Sequence, residues 1–327
     1  AVATLDGTDG WAVASRGRLF RWDGRTWGEL ASPTRQALSG LEMISAVEGW
    51  AVGEAGTILR WDGHAWSRVA GSTTQHLHAV AMAAPGDGWA VGDGGTIVHW
   101  NGQTWSVMAS PTDQSLAALA IVNPVDVWAV GAQGTILHWD GRIWTHVDSP
   151  ASFELRGVAM TSATDGWAVG NDFGLAILHW DGRAWSRWGS RLGYIRNFAA
   201  VAMLSVTDGW AVGWGPLGDT TIAGGTIFHW DGQAWTEFPA PAGGGIQGLA
   251  VSQGVGWAVS GDRVLRWDGN RWTAIVHPPA GDLLGLAAVS ADDVWAVDSL
   301  GGILHWDGIR WAAFASPTRN RLNAVAM

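Results

Sequence analysis

The chain has no cysteine, no lysine and a single tyrosine. Without cysteine there is no thiol nucleophile, no thiolate metal site and no disulfide framework. Without lysine, Schiff-base chemistry and a lysine general base are excluded. All 19 basic residues are therefore arginine, set against 29 acids for a net charge of −10. A sequence pI near 5.3 argues against a nucleic-acid binder, which needs a basic face to displace counterions from phosphates. No apolar run approaches the roughly 18 residues of a membrane span. A cysteine-free chain is tolerated inside and outside the cell alike, so the redox compartment stays open. The start at Ala1 is what a mature or excised segment would show, and the arginine-only, alanine- and glycine-rich usage points to a bacterial source.

What the sequence has in excess is tryptophan, 26 residues of it. The tripeptide Trp-Ala-Val begins at Trp11, Trp50, Trp89, Trp128, Trp167, Trp210, Trp257 and Trp295, at intervals of 39, 39, 39, 39, 43, 47 and 38. A second tryptophan follows at 22, 61, 100, 139, 180, 230, 267 and 306, and a third five residues after each. Only Trp188 and Trp214 fall outside this scheme. A fixed period of this length is the signature of a repeat architecture.

Each copy holds four short apolar runs, as in LHAVAM (77–82), GWAVG (88–92), GTIVHW (95–100) and the segment around Trp105. Gly, Asp and Pro clusters separate them, which reads as strands and turns. Asp-Gly between the third and fourth runs, Asn-Gly at 101–102, predicts a two-residue type I′ hairpin with both positions at positive φ. No segment has a helical period of ten residues or more. The expected fold is all-β, a β-propeller of eight four-stranded antiparallel blades filling residues 1–327 as one domain. In Trp-Ala-Val-Gly, alternation puts Trp and Val on one face and Ala and Gly on the other, so each blade can set large side chains against small ones of its neighbour. Ala1–Thr4 and Leu322–Met327 both match the end of a first strand. A closed ring with the C-terminal strand completing the first blade is expected; the other reading is a piece of a longer array.

The pattern GWAVGxxGTILxxxDGxxW runs through the whole chain. It resembles the photosystem II stability/assembly-factor propellers and related bacterial Asp-box (BNR-type) repeat proteins. The resemblance implies the blade fold with the first strand at the central channel. HWDGRIW (138–144) has histidine where the Asp-box consensus has serine and lacks one residue between Asp140 and Gly141, and there are eight copies in place of the usual seven. The photosystem partner is therefore not carried over. No arginine triad of the sialidase kind maps onto the chain.

A base always precedes the second tryptophan: Arg21, Arg60, His99, His138, His179, His229, Arg266 and His305. An acid stands two residues before Trp-Ala-Val: Asp9, Glu48, Asp87, Asp126, Asp165, Asp208 and Asp293, with Val255 the exception. In an antiparallel blade the two positions meet at one edge. They are expected to pair as a structural latch, Asp87 with His99, Asp126 with His138, Asp165 with His179 and Asp208 with His229. The alternative is a ring of sugar sites as in propeller lectins. One histidine per blade spread around a ring cannot converge on a metal, and no cofactor or catalytic motif is found.

The insertions break the repeat. Copy five gains residues in GNDFGLAIL (170–178), copy six in GWGPLGDTTIAGGTIF (213–228), and the connection between them in RWGSRLGYIRNF (187–198). All three are expected on one face. Insertions on one face of a repeat protein commonly mark its binding surface. Trp188, Tyr194 and Trp214 are the candidate anchors there, with Arg191, Arg196 and Asp219 as polar contacts. The competing reading is a tolerated loop whose aromatics fold back as a lid. The function expected is a non-enzymatic recognition or scaffold propeller binding a protein partner, extracellular or at the cell surface. A carbohydrate-binding lectin is the second expectation, and an Asp-box hydrolase a weak third.

Overall fold

The computed structural model describes residues 9–171, 176–188, 197–216, 223–238, 240–241, 244–252, 255–316 and 322–326. Within them the chain forms eight four-stranded antiparallel sheets, each a propeller blade. In the third blade Leu77–Ala84 is the inner strand, followed outward by Asp87–Gly92, Ile97–Trp100 and Trp105–Val107. Neighbouring inner strands pack side by side around the ring, from Leu38–Ser45 to Leu283–Ser290 and on through Leu322–Ala326.

The ring closes with the C-terminal strand. Leu322–Ala326 pairs antiparallel with Gly10–Ala14, Ala14 opposite Leu322, and so supplies the inner strand of the first blade. The N-terminal segment Ala1–Thr4, the other claimant to that position, lies outside the described residues.

Packing between blades follows the large-against-small pattern. Trp89 and Val91 of the third blade share a buried cluster with Ala129 and Leu137 of the fourth. Trp89 also meets Trp139 at 4.9 Å and, edge-on, Trp144 at 5.2 Å between ring centroids. The same trio recurs where Trp128 meets Trp180 and Trp185, and where Trp210 meets Trp267 and Trp272. Such offset and edge-to-face geometries are what the ring quadrupole favours. The Trp-Ala-Val indoles are essentially inaccessible, at most 2% exposed. They are the mortar of the ring.

The Asp-Gly hairpins differ from expectation. Trp22 pairs directly with Trp27, and Trp139 with Trp144, so four residues connect the strands rather than two. Only the glycine has positive φ, +87° at Gly141. The Asp140 carboxylate instead accepts the backbone N–H groups of Arg142 and Ile143, both at 2.9 Å. A side chain that bonds its own turn makes the second left-handed residue unnecessary. Those N–H donors, first Ile143 and then Arg142, hold the Asp140 carboxyl below its ordinary range.

Candidate functional site

Strand direction sorts the connections onto two faces. The inner-to-second turns and the Asp-Gly hairpins emerge on one. The second-to-third loops and the connections between blades emerge on the other, toward which the lengthened strands Asp208–Pro216 and Ala223–Trp230 also extend.

On the first face the acids and bases meet. His99 Nε2 lies 2.6 Å from Asp87 Oδ1, His138 2.9 Å from Asp126, His179 2.7 Å from Asp165 and His229 2.9 Å from Asp208. Asp293–His305, Asp9–Arg21 and Glu48–Arg60 repeat the contact. Each base lies directly across the ladder from its Trp-Ala-Val indole, and the His99 ring centre stands 4.1 Å from that of Trp89. Arg266, where Val255 replaces the acid, still stacks its guanidinium over Trp257 at 5.3 Å. A sugar stacking here would need an open indole face, and these faces are covered.

Of the six predicted binding residues the structure describes two, Trp188 and Trp214. Arg191, Tyr194, Arg196 and Asp219 lie outside the described residues. Trp188 packs in the seam between blades five and six, 5.4 Å from Trp167 and 5.0 Å edge-on from Trp230. It stands three residues after Trp185, where the other copies carry Leu30, Val69, Met108, Val147, Phe238, Ile275 and Phe314. That apolar position belongs to the repeat and the sequence pattern already contains it. Trp214 is placed differently. The insertion lengthens two strands into the hairpin Asp208–Pro216 and Ala223–Trp230, with Trp214 paired to Gly225. Its half-buried indole lies beside the channel mouth, under the Arg156 guanidinium at 5.4 Å.

Two cavities meet at Arg156 and Ala199. One, of about 390 Å³, is lined by His78, Ser115, Ala117, Glu154 and Arg156 among others. The second, of about 490 Å³, is lined by Arg156, Ala199, Trp214, Gly245 and Gln247. Together they form a trough across blades three to seven. Arg156 is oriented by Glu154 Oε2, 2.9 Å from its Nε. At the opposite end His78 Nε2 bonds Asp93 Oδ1 at 2.8 Å, and Ser115 donates to the same oxygen. His78, then burial and Ser115 in opposition, leave the Asp93 carboxyl below its ordinary value. His76, stacked 4.6 Å from His78 and bonded to Ser39, is lowered by burial first and by the neighbouring imidazole second.

Arg156 and Gln247 escaped the sequence reading, and His78 drew notice there only as a weak metal pair with His76, although a signal exists. They share the second position of the inner strand, where the copies read Ser39, His78, Ala117, Arg156, Ala199, Gln247, Leu284 and Asn323. No other inner-strand position varies so widely in chemistry. Among the described residues no group of three or more His, Asp or Glu side chains gathers as a metal site, and no helix is long and apolar enough to cross a membrane.

Comparison with known proteins adds the architecture. No protein-family model matches the chain, and no curated protein sequence does. Solved structures do match. The computationally designed Ika8 protein superposes with a TM-score of 0.70 at 18% identity, over 88% of this chain and 90% of that one. YCF48 from Cyanidioschyzon merolae gives 0.58 at 17% identity, over 89% and 99%. YCF48 bound to D1 peptide gives 0.56 at 16% identity, over 73% and 80%. The chain is a β-propeller. At these identities the likeness is one of fold.

Proposed function

We propose that this chain is a non-catalytic recognition propeller that takes an extended segment of a protein partner in the trough at the channel mouth. The observation that carries the reading is the continuity of two cavities through Arg156, with Trp214 walling one and His78 the other. An aromatic wall supplies contact area at low conformational cost, and an arginine already held by Glu154 loses little freedom when a ligand arrives. The trough lies on the face toward which the lengthened hairpin of the sixth blade extends, as binding surfaces of repeat proteins commonly do. A YCF48 structure with a bound D1 peptide supports peptide capture as a use of this fold.

The test is selection of binders from a displayed peptide library. Peptides enriched on the wild type should bind the Arg156→Ala, Trp214→Ala double variant about 30-fold or more weakly, the loss expected for hot-spot residues. They should bind His99→Ala, altered on the opposite face, as well as the wild type. Absence of enriched peptides, or indifference to the double variant, would refute the reading. A glycan array run on the same proteins decides between peptide and sugar, because a Trp214-dependent glycan signal would favour the lectin alternative.

A further inference from the structure

Inside the channel one residue departs from the repeat. The fifth position of the inner strand lies opposite the Trp-Ala-Val tryptophan, and in seven blades it is alanine: Ala81, Ala120, Ala159, Ala202, Ala250, Ala287 and Ala326. In the second blade it is Glu42, opposite Trp50. The next residue along is apolar at each of these strands, Met43, Met82, Ile121, Met160, Met203, Val251 and Ala288. Ala81, Ala120, Ala159, Ala202 and Ala250 remain half-buried rather than closed off. Among the described residues these inner-strand positions therefore offer partly open apolar surface with one carboxyl group among them.

Glu42 is itself half-buried, and among the described residues no hydrogen bond or ion pair reaches its carboxylate. Leaving a sequestered carboxylate without a donor is costly, and such groups call for an explanation. The titratable groups on the strands packed against it are committed elsewhere, and the charge of the N-terminal ammonium counters its burial only in second place. Glu48 is bonded to Arg60 and His78 to Asp93, while Leu322–Ala326 contains none.

We propose that Glu42 is the anion of a binding site for a primary alkylammonium group, whose charge meets the carboxylate while its methylenes lie along the alanine-lined wall. An inorganic cation would leave that wall unused, and a neutral alkyl chain would leave the carboxylate unpaired. The group can belong to a free amine or to the side chain of a lysine in a peptide. Burial pushes the Glu42 carboxyl up to about 7, so cation and proton compete for it near neutrality. The site stands independently of the trough.

The experiment is calorimetric titration of the whole chain with n-hexylammonium, with acetyl-Gly-Lys-Gly-amide and with n-hexanol as neutral control, at pH 8 and pH 6. Glu42→Ala installs the residue the other blades carry, and Glu42→Gln keeps the shape without the charge. Hexylammonium should bind the wild type at pH 8, about tenfold or more weakly in both variants, and about tenfold more weakly at pH 6, where the carboxyl is mostly protonated. Binding of the lysine peptide with the same dependence assigns the side chain as ligand; hexylammonium alone assigns the free amine. No binding of either amine to the wild type, equal binding to Glu42→Ala, or equal binding of hexanol would overturn the proposal. Melting curves of both variants at pH 6 establish that they are folded.

Discussion

Trp295 packs against Trp22 with ring centroids 4.6 Å apart, and Trp27 meets the same indole edge-on at 5.6 Å. This is the contact that every other Trp-Ala-Val tryptophan makes with the following blade, here made between the eighth blade and the first. Its partners are 273 positions apart in the chain, so it exists only when the ring is closed. Closure in turn depends on the C-terminal strand, which covers the exposed edge of Gly10–Ala14. An open sheet edge there would be a site for aggregation.

Leu322 is fully buried in the cluster that holds Trp22, Trp27 and Trp295. Leu322→Ala should lower stability by about 3 kcal/mol, the usual loss for a buried leucine. Removing residues 322–327 should cost more and promote self-association. Denaturant unfolding and light scattering check both, and an unchanged midpoint would contradict closure by this strand.

The glycine before Trp-Ala-Val is tied to methionine. A Cβ added at Gly49, Gly88, Gly166 or Gly209 would meet the sulfur of Met43, Met82, Met160 or Met203. Where valine replaces that glycine, at Val127 and Val294, the methionine has become Ile121 and Ala288. Gly166→Val should therefore destabilise by about 1–2 kcal/mol through overpacking. Adding Met160→Ala should recover much of that loss, a coupling that a double-mutant cycle measures directly. Simple additivity would dismiss the pairing.

The acid–base pairs differ in what else they hold. Asp126 accepts from both His138 and the Trp128 indole N–H, at 2.9 Å each. No partner meets the Trp89 indole N–H. Asp126→Ala strands a buried donor and should cost about 1–3 kcal/mol. Asp87→Ala gives up only a half-exposed pair and should cost about 1 kcal/mol or less. Equal losses in urea unfolding would show that the indole bond is immaterial. The converse change, Val255→Asp, offers Arg266 the missing partner and should raise the melting temperature slightly.

Glu42 should make stability depend on pH. Its folded value, about 7 against an ordinary 4.5, is raised by burial. A raised acid favours the folded state fully below the ordinary value, and that contribution is lost as pH climbs through 7. Glu42→Gln should thus stabilise the protein at pH 8.5, by at most roughly 3 kcal/mol, and change little at pH 4.5. A pH-independent difference would show that the carboxyl is already solvated.

Trp188 and Trp214 separate packing from the proposed recognition. Trp188→Leu restores the kind of residue found at Leu30 and should keep the fold with a modest stability loss. Trp214→Ala should leave the melting temperature nearly unchanged. Loss of fold in the Trp214 variant, read by circular dichroism, would reassign that indole to the core.

Much of this molecule was legible along the chain, because blade packing is a local pattern. Tryptophan spacing, the alternation of large and small residues and the opposed acids and bases are each set within a single repeat. Two-residue alternation dictates which face each side chain takes before any blade meets its neighbour. The pairing of Asp126 with His138 could be expected for that reason. The Asp140 turn could not, because Asp-Gly suits more than one hairpin and the choice falls to the length of the flanking ladder. The mouth was hidden for a different reason. Trp214 could be singled out because it lies in an insertion, whereas His78, Arg156 and Gln247 come from blades that are apart in the chain, and each is a single deviation within its own repeat. Only closure of the ring brings the ends of those inner strands around one opening, so distance across the channel, and not spacing in sequence, determined which of them could share a ligand.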